Sequence, residues 1–231
     1  MEKKSIAIDG PAGAGKSTLA KMAARHFGLI YVDTGAIYRC VGLFALKNGA
    51  DTRDQQAVSA LLDQVQIELK YDEQGVQRMI LNGEDVSEAI RMPEVSMAAS
   101  AVSALPQVRA FLLDMQRDLA RKQSVVMDGR DIGTVVLPDA EVKIYLTASL
   151  EERSRRRLLE LQGKGVETTL EEVMRDMAQR DKNDMERAEA PLRRAEDAVL
   201  VDSTELDIEQ TAAAIEAVIL RRMEEDDGTC G

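Results

Sequence analysis

Gly10-Pro11-Ala12-Gly13-Ala14-Gly15-Lys16-Ser17-Thr18 matches G-x-x-x-x-G-K-[ST], the spacing of a phosphate-binding loop, with Gly10, Gly15, Lys16 and Ser17 at its fixed positions. Its flanks come in the order such a loop needs. Ser5-Ile6-Ala7-Ile8 is short, apolar and partly β-branched, as a buried parallel strand is. After the loop, Leu19, Met22, Ala23 and Phe27 recur at helical spacing, which predicts a helix with these residues inward. Glycines let backbone N–H groups close on phosphate oxygens, and the helix N-terminus adds partial positive charge. In such a loop Lys16 reaches the β- and γ-phosphates, Ser17 offers its hydroxyl to magnesium, and Thr18 stands near the α-phosphate. Gly10, Gly13 and Gly15 read G-x-x-G-x-G, whereas a dinucleotide turn requires G-x-G-x-x-G. The expected ligand is therefore a triphosphate.

Outward from the loop, Leu29-Ile30-Tyr31-Val32 is a second apolar strand ending at Asp33-Thr34-Gly35, with a helix expected from about residue 36 to 46. This turn predicts Thr34 and Arg39 near the C-terminal edge of a parallel sheet, where open α/β sheets take ligands. Arg39 alone reads equally well as a solvated helix residue. From Val65 the pattern changes to alternation. Ile67, Leu69 and Tyr71 mark one strand, residues 72–75 a turn, residues 76–81 a second strand, and Asn82-Gly83 a hairpin signal. This small antiparallel meander is expected to be scaffold or cover. Residues 93–103 and 105–121 read as helices, the second with Val108, Leu112, Met115 and Leu119 inward. Ser100 and Arg109, each taken alone, are helix-surface residues.

Ser124-Val125-Val126-Met127-Asp128-Gly129-Arg130-Asp131 is a strand that runs into charge. Asp128 stands where a phosphate-loop enzyme often places a carboxylate to assist magnesium, directly or through water. Arg130 and Asp131 can point to different sides of a loop, one to bind phosphate and the other to accept hydrogen bonds from a base or sugar. The alternative is an ordinary Asp-Gly turn with solvated charges. Strands at 142–146 and 198–201 bring the count of parallel strands to five. Between them, residues 149–194 form a charged helical segment interrupted at Gly163 and Gly165. Arg153, Arg156 and Arg157 recur at helical spacing, as do Arg180, Asp184 and Arg187. Glu152 and Arg156 form an i, i+4 pair, which suits a solvated helix. Beside a phosphate loop the same arginines suit a lid that closes over concentrated negative charge.

Composition narrows the function classes. A chain of 231 residues is one large domain or one domain with insertions. Its 41 acidic and 30 basic residues leave a net charge of -11, which argues against a nucleic-acid surface or attraction to an anionic membrane. No Trp, three Phe and four Tyr leave few platforms for base stacking. No apolar run approaches the roughly 18 residues of a membrane span, and the N-terminus enters a strand at once, so no signal peptide is expected. Cys40 and Cys230 make no disulfide framework, and the expected compartment is a reducing cytoplasm. His26, the one histidine, reads as a helix-surface residue, and the acidic tail from Glu224 as frayed.

With these pieces placed, the sequence resembles the bacterial-type cytidylate kinases, members of the P-loop nucleoside monophosphate kinase family. The resemblance rests on IDGPAGAGKST at 8–18, DTGAIYR at 33–39, NGEDVSEAIR at 82–91, DGRDIGTVV at 128–136, PDAEVKIYL at 138–146 and RDKNDMERAEAPL at 180–192. It covers nearly the whole chain. It implies an α/β P-loop NTPase core with a five-stranded parallel sheet, a small antiparallel β insertion in the monophosphate-binding region, and a helical lid. All of this forms one kinase domain over 1–231, with the monophosphate-binding region at about 34–110 and the lid at about 150–190. The implied reaction is ATP plus CMP, or dCMP, to ADP plus CDP or dCDP, with Mg²⁺ required and a monomer acting on small nucleotides. By the same resemblance Ser100, Arg109 and Asp131 recognise cytosine, and Asp184 holds the sugar. Thr34 belongs to the substrate block; it stands where the family is expected to carry serine, and keeps the hydroxyl. Arg39, Arg130 and Arg187 grip the monophosphate, and Arg180 reaches phosphates as the lid closes. Lys16, Arg130, Arg180 and Arg187 are thus the expected catalytic set.

Two other readings use the same loop. One is a kinase of a different acceptor, such as AMP, shikimate or a nucleoside. The other is a switch GTPase, which needs N-K-x-D; the nearest text, Asp181-Lys182-Asn183-Asp184, has the wrong order.

Overall fold

The structure, a computed structural model, describes residues 3–228, so Cys230 and the end of the acidic tail lie outside the described residues. Along the chain run β1 (Ser5–Asp9), α1 (Lys16–Phe27), β2 (Ile30–Asp33), α2 (Thr34–Lys47), α3 (Gln55–Leu62), β3 (Ile67–Tyr71), β4 (Gln77–Leu81) and β5 (Glu84–Asp85). These are followed by α4 (Pro93–Val102), α5 (Pro106–Lys122), β6 (Val125–Gly129), β7 (Val142–Thr147), α6 (Leu150–Gly163), α7 (Leu170–Glu186), β8 (Val199–Asp202) and α8 (Ile208–Gly228). A single-turn 3-10 helix covers Ala89–Arg91, and a π turn covers Ile132–Val136.

The chain divides into two compact units, Met1–Tyr31 with Lys122–Gly231, and Val32–Arg121. The five-stranded sheet has the order β2-β6-β1-β7-β8, and β1 is parallel to both β6 and β7. Strands so placed have apolar neighbours on both faces, and β6 is buried at every position. In the first unit the core joins Ile6, Ile8, Val126, Ile144 and Leu146 of the sheet to Leu19, Ala20, Ala23 and Ala24 of α1 and to Ile215 and Ile219 of α8. The inward stripe of α1 differs from the sequence expectation at Met22, which is exposed. The buried stripe is centred on Leu19, Ala20, Ala23 and Ala24, and at 100° per residue Met22 falls on the side turned away from it.

The second unit contains the antiparallel sheet β3-β4-β5, the expected meander, with Ile67 opposite Leu81 and Tyr71 opposite Gln77. It also contains α3, which periodicity did not announce; Asp54 caps it by accepting the N–H groups of Gln56 and Ala57. Helices α2 and α4 pack closely at Gly42, where a Cβ would stand 2.9 Å from the Ala99 nitrogen. On α5, Val108 and Leu112 are fully buried as expected. Gln116 is buried too, its amide donating to the Leu112 carbonyl. The charged segment after β7 is two helices with a break between Gly163 and Leu170, and its last part, from Arg187, is not helical. Arg187 therefore does not continue the helical face of Arg180 and Asp184; its backbone turns extended, at φ −61° and ψ 140°.

Gly10 tests the packing of the phosphate loop on the sheet. A Cβ at this position would lie 1.9 Å from the Leu146 carbonyl oxygen. Gly10→Ala is expected to destabilise the protein by about 3 kcal/mol in a denaturant titration. Gly28→Ala, with nothing within 4 Å, should cost only about 1 kcal/mol through its positive φ.

Candidate active site

The loop from β1 to α1 uses backbone conformations that favour glycine, with φ of +151° at Gly10, +71° at Gly13 and +86° at Gly15. Gly15 caps α1 without a side-chain hydrogen bond, and no acid stands in the first turn. The first N–H groups of the helix and its positive dipole end are thus left for an anion. Lys16 is buried, and its ammonium donates to the Pro11 carbonyl of the same loop at 2.7 Å. Burial, reinforced by the charge of Arg130, holds the Lys16 pKa well below its usual range, with Asp128 opposing the shift. Phosphate oxygens placed against Lys16 would reverse that balance.

Asp128, the buried carboxylate at the end of β6, has a hydroxyl donor on each oxygen. Ser17 Oγ donates to Oδ2 at 2.9 Å and Tyr31 Oη to Oδ1 at 2.8 Å. Ser17 and Asp128 therefore form a small set of hard oxygen donors. That set fits magnesium, which takes one or two protein oxygens and completes its octahedron with phosphates and water. Among the described residues no group of three or more His, Cys, Asp or Glu side chains forms a protein-only metal site.

A second cluster follows β6. Arg130 donates through Nε to Asp184 Oδ2 at 2.8 Å and through Nη1 to the Gly129 carbonyl at 3.2 Å. Arg187 donates through Nε to the Ala190 carbonyl and lies 3.4 Å from Asp131 Oδ1. Burial would raise the Asp184 carboxyl, but Arg130, Arg180 and Arg187 outweigh it and hold the group below the ordinary carboxylate range. Burial likewise works against the charge on Arg130, and Asp184 outweighs it. The first unit thus brings Lys16, Ser17, Asp128, Arg130, Asp131, Arg180, Asp184 and Arg187 into one electrostatic neighbourhood.

The second unit holds the remaining sequence candidates. Thr34 is buried as the first residue of α2, whose cap Asp33 accepts the Ala36 N–H at 2.9 Å. Asp33 also lies 3.6 Å from Arg39 Nη1, and its own N–H donates to Gln77 Oε1 at 2.9 Å. Arg109 stands over the Tyr38 ring, 5.6 Å from its centroid. It also donates to the Ser103 carbonyl at 3.3 Å, while Ser103 Oγ donates to the Ser100 carbonyl.

Four residues of the first unit escaped the sequence reading. Tyr31 was read as a strand residue only, and Arg153 as one of an arginine set suited to either a solvated helix or a lid, yet Arg153 is buried and ion-paired with Asp181 at 2.6 Å. Asp9 sits within the quoted phosphate-loop block but had no role. Its two carboxylate oxygens accept the N–H groups of Ile132 at 2.8 Å and Gly133 at 2.7 Å, the first residues of the π turn after Asp131. The signal available in the sequence was an acid at the inner end of an apolar strand, which needs partners when buried.

A family model described as cytidylate kinase matches residues 6–221. The chain is 52% identical over 210 residues to a cytidylate kinase of Caldicellulosiruptor bescii, covering 91% of this chain and 92% of that one. It is 50% identical over 217 residues to one of Carboxydothermus hydrogenoformans, covering 94% and 97%. With one of Streptococcus pneumoniae it shares 47% over 223 residues, covering 96% and 100%. A solved structure of an uncharacterized protein from Eubacterium ventriosum has the same fold, with a TM-score of 0.52 at 14% identity over 94% of this chain and 97% of its own.

Asp9 generates a pH prediction. Burial lifts its carboxyl from 3.8 to about 6, with Asp131 adding to the rise and the two N–H donors and Lys16 opposing it. The folded protein thus holds a proton that the unfolded chain releases between these values, and the Asp9 contribution to stability falls as pH rises from about 4 to about 6. Relative to Asp9→Asn, the wild type should lose about 2 kcal/mol between about pH 4.5 and pH 7. Parallel denaturant titrations at pH 4.5 and pH 7 measure it, and equal differences at both pH values would remove the assignment.

Proposed function

The chain belongs to the cytidylate kinase family, and from that premise we infer that it transfers the γ-phosphoryl group of ATP to CMP, giving ADP and CDP. The observation that carries this reading furthest is the buried Lys16 in a glycine loop at the open N-terminus of α1, with Arg130 adding a second positive charge nearby. Such a site is short of negative charge until phosphates arrive. CMP, with a second phosphate pKa of about 6, is largely a dianion at neutral pH and needs no general base. Its phosphate oxygen attacks the γ-phosphorus in line as the bond to the β,γ-bridging oxygen breaks and ADP leaves. The protein's work is to hold both phosphates in line, cancel their repulsion and keep water out.

Gly10, Pro11, Ala12, Gly13, Ala14, Gly15, Lys16, Ser17 and Thr18 form the ATP phosphate loop in this reading. Lys16 bridges the phosphates, and Arg130, Arg180 and Arg187 take the charge that develops during transfer. Ser17, with Asp128 directly or through water, would hold magnesium, which supplies charge neutralisation at the bound phosphates. On the second unit Thr34 and Arg39 are assigned to the monophosphate, and Ser100 and Arg109 to the base. On the first unit Asp131 is assigned to the base and Asp184 to the sugar. The 34–110 stretch is then the monophosphate-binding region and 150–190 the lid of a single kinase domain. We extend the acceptor range to dCMP, and place the enzyme in pyrimidine nucleotide metabolism, acting as a monomer. A reducing cytoplasm suits Cys40, whose thiol burial pushes up to about 12.

Initial rates of ADP formation with CMP, dCMP, UMP, AMP, GMP and shikimate at equal concentration test this reading. The expected order has CMP and dCMP well ahead; preference for AMP or shikimate would keep a phosphate-loop kinase and discard the base assignments. Lys16→Met is expected to lower kcat by about 10²–10³ with the fold retained, because a contact made in the transition state is lost. Arg187→Ala should raise the CMP KM about tenfold or more while leaving the ATP KM within about threefold. An unchanged CMP response would return Arg187 to a structural role beside Asp131.

A further inference from the structure

We propose that Arg153 and Asp181 are positioning residues for the phosphate loop, fixing the Ala12 peptide from both sides and tying the loop's shape to helix α7. This inference rests on the reading of residues 10–18 as the ATP phosphate site. Asp181 Oδ1 accepts the Ala12 N–H at 3.3 Å, and Arg153 Nη1 donates to the Ala12 carbonyl at 2.9 Å. The same Nη1 lies 2.6 Å from Asp181 Oδ2, and Arg153 Nε donates to the Ala148 carbonyl at 2.9 Å. Both side chains are buried, at 7% and 11% exposure.

Neither side chain is spare charge on a solvated face. A buried carboxylate next to a phosphate loop would repel the triphosphate, and Arg153 neutralises it in place. With its N–H committed to Asp181, Ala12 contributes shape, and the loop amides left for phosphate begin at Gly13. That glycine is pinned by the same two helices, since a Cβ on it would stand 2.6 Å from Met177 Cε and 3.2 Å from the Arg153 carbonyl oxygen. Ala12, Val173 and Met177 share a small apolar cluster supported by Leu150, Leu158 and Leu161.

The consequence is a coupling. Asp181 lies between Arg180 and Asp184 on α7, so whatever fixes Asp181 also fixes the turn that carries them. Filling the phosphate loop then steadies α7, and by linkage a steadied α7 improves nucleotide binding by the same factor.

The experiment measures ADP binding by calorimetry together with amide hydrogen exchange of residues 170–186, with and without ADP and in the absence of acceptor. In the wild type ADP should protect this segment. The double substitution Arg153→Met with Asp181→Leu removes both charges together and leaves neither one buried alone. It is expected to weaken ADP binding about tenfold and to abolish the ADP-dependent protection. Asp181→Asn, measured alongside, should move both readouts in the same direction, about threefold in affinity, and decides the matter if the double variant does not fold. Wild-type ADP affinity with retained protection in either variant would overturn the coupling. ADP binding that Lys16→Met leaves unchanged would overturn the phosphate-loop reading, and the proposal with it.

Discussion

The rest of the first unit depends on one costly arrangement, the burial of Lys16 with Arg130 and Arg180 close enough to disfavour its charge. Cations crowded out of water are unstable without anions, and Arg130 and Lys16 are provided for differently. Asp184 gives Arg130 a fixed partner and stays ionised despite burial. Among the described residues no carboxylate is bonded to Lys16; its ammonium rests on the Pro11 carbonyl, a weaker neutral acceptor. Lys16 therefore retains capacity for a further anion.

That division explains the surrounding acids. Asp128 has its oxygens occupied by the Ser17 and Tyr31 hydroxyls, which orient it near the charges of Lys16 and Arg130. Asp181 is neutralised by Arg153 and spends its other oxygen on the loop backbone. Asp9 spends both oxygens on the backbone of the π turn, which fixes the exit from Arg130 and Asp131 relative to the strand that enters the phosphate loop. Four buried carboxylates thus do four different jobs, set by what donates to them.

Much of the fold was legible because it is encoded locally. The phosphate loop, the apolar strands around it and the alternating meander with its Asn82-Gly83 turn each carry their signal within a few neighbouring residues. Helix α3 escaped because its start depends on a cap at Asp54 more than on a long apolar stripe. Met22 was misplaced because the inward face of α1 is marked by small Ala20, Ala23 and Ala24 beside Leu19, and Met22 lies on the other side of the helix. At the site, a motif identifies Lys16 and Ser17. Arg153 was indistinguishable from Arg155, Arg156 and Arg157, three of which pair with glutamates one helical turn or less away. What separates Arg153 is a partner 28 positions along the chain, and no spacing rule reaches that far.

The same limit applies to Arg187. Helical spacing groups it with Arg180 and Asp184, but the backbone leaves the helix there and the Leu192 N–H returns to the Asp184 carbonyl. The extended exit gives Arg187 a position beside Asp131 that one more helical turn would not. Asp184 therefore anchors two things, through its carboxylate the Arg130 guanidinium and through its carbonyl the return of the chain. Arg130 and Arg187 are each held by a carboxylate on a different segment, so each guanidinium fork has its own anchor. Separate anchoring fixes the direction of both forks, which a solvated arginine helix does not provide.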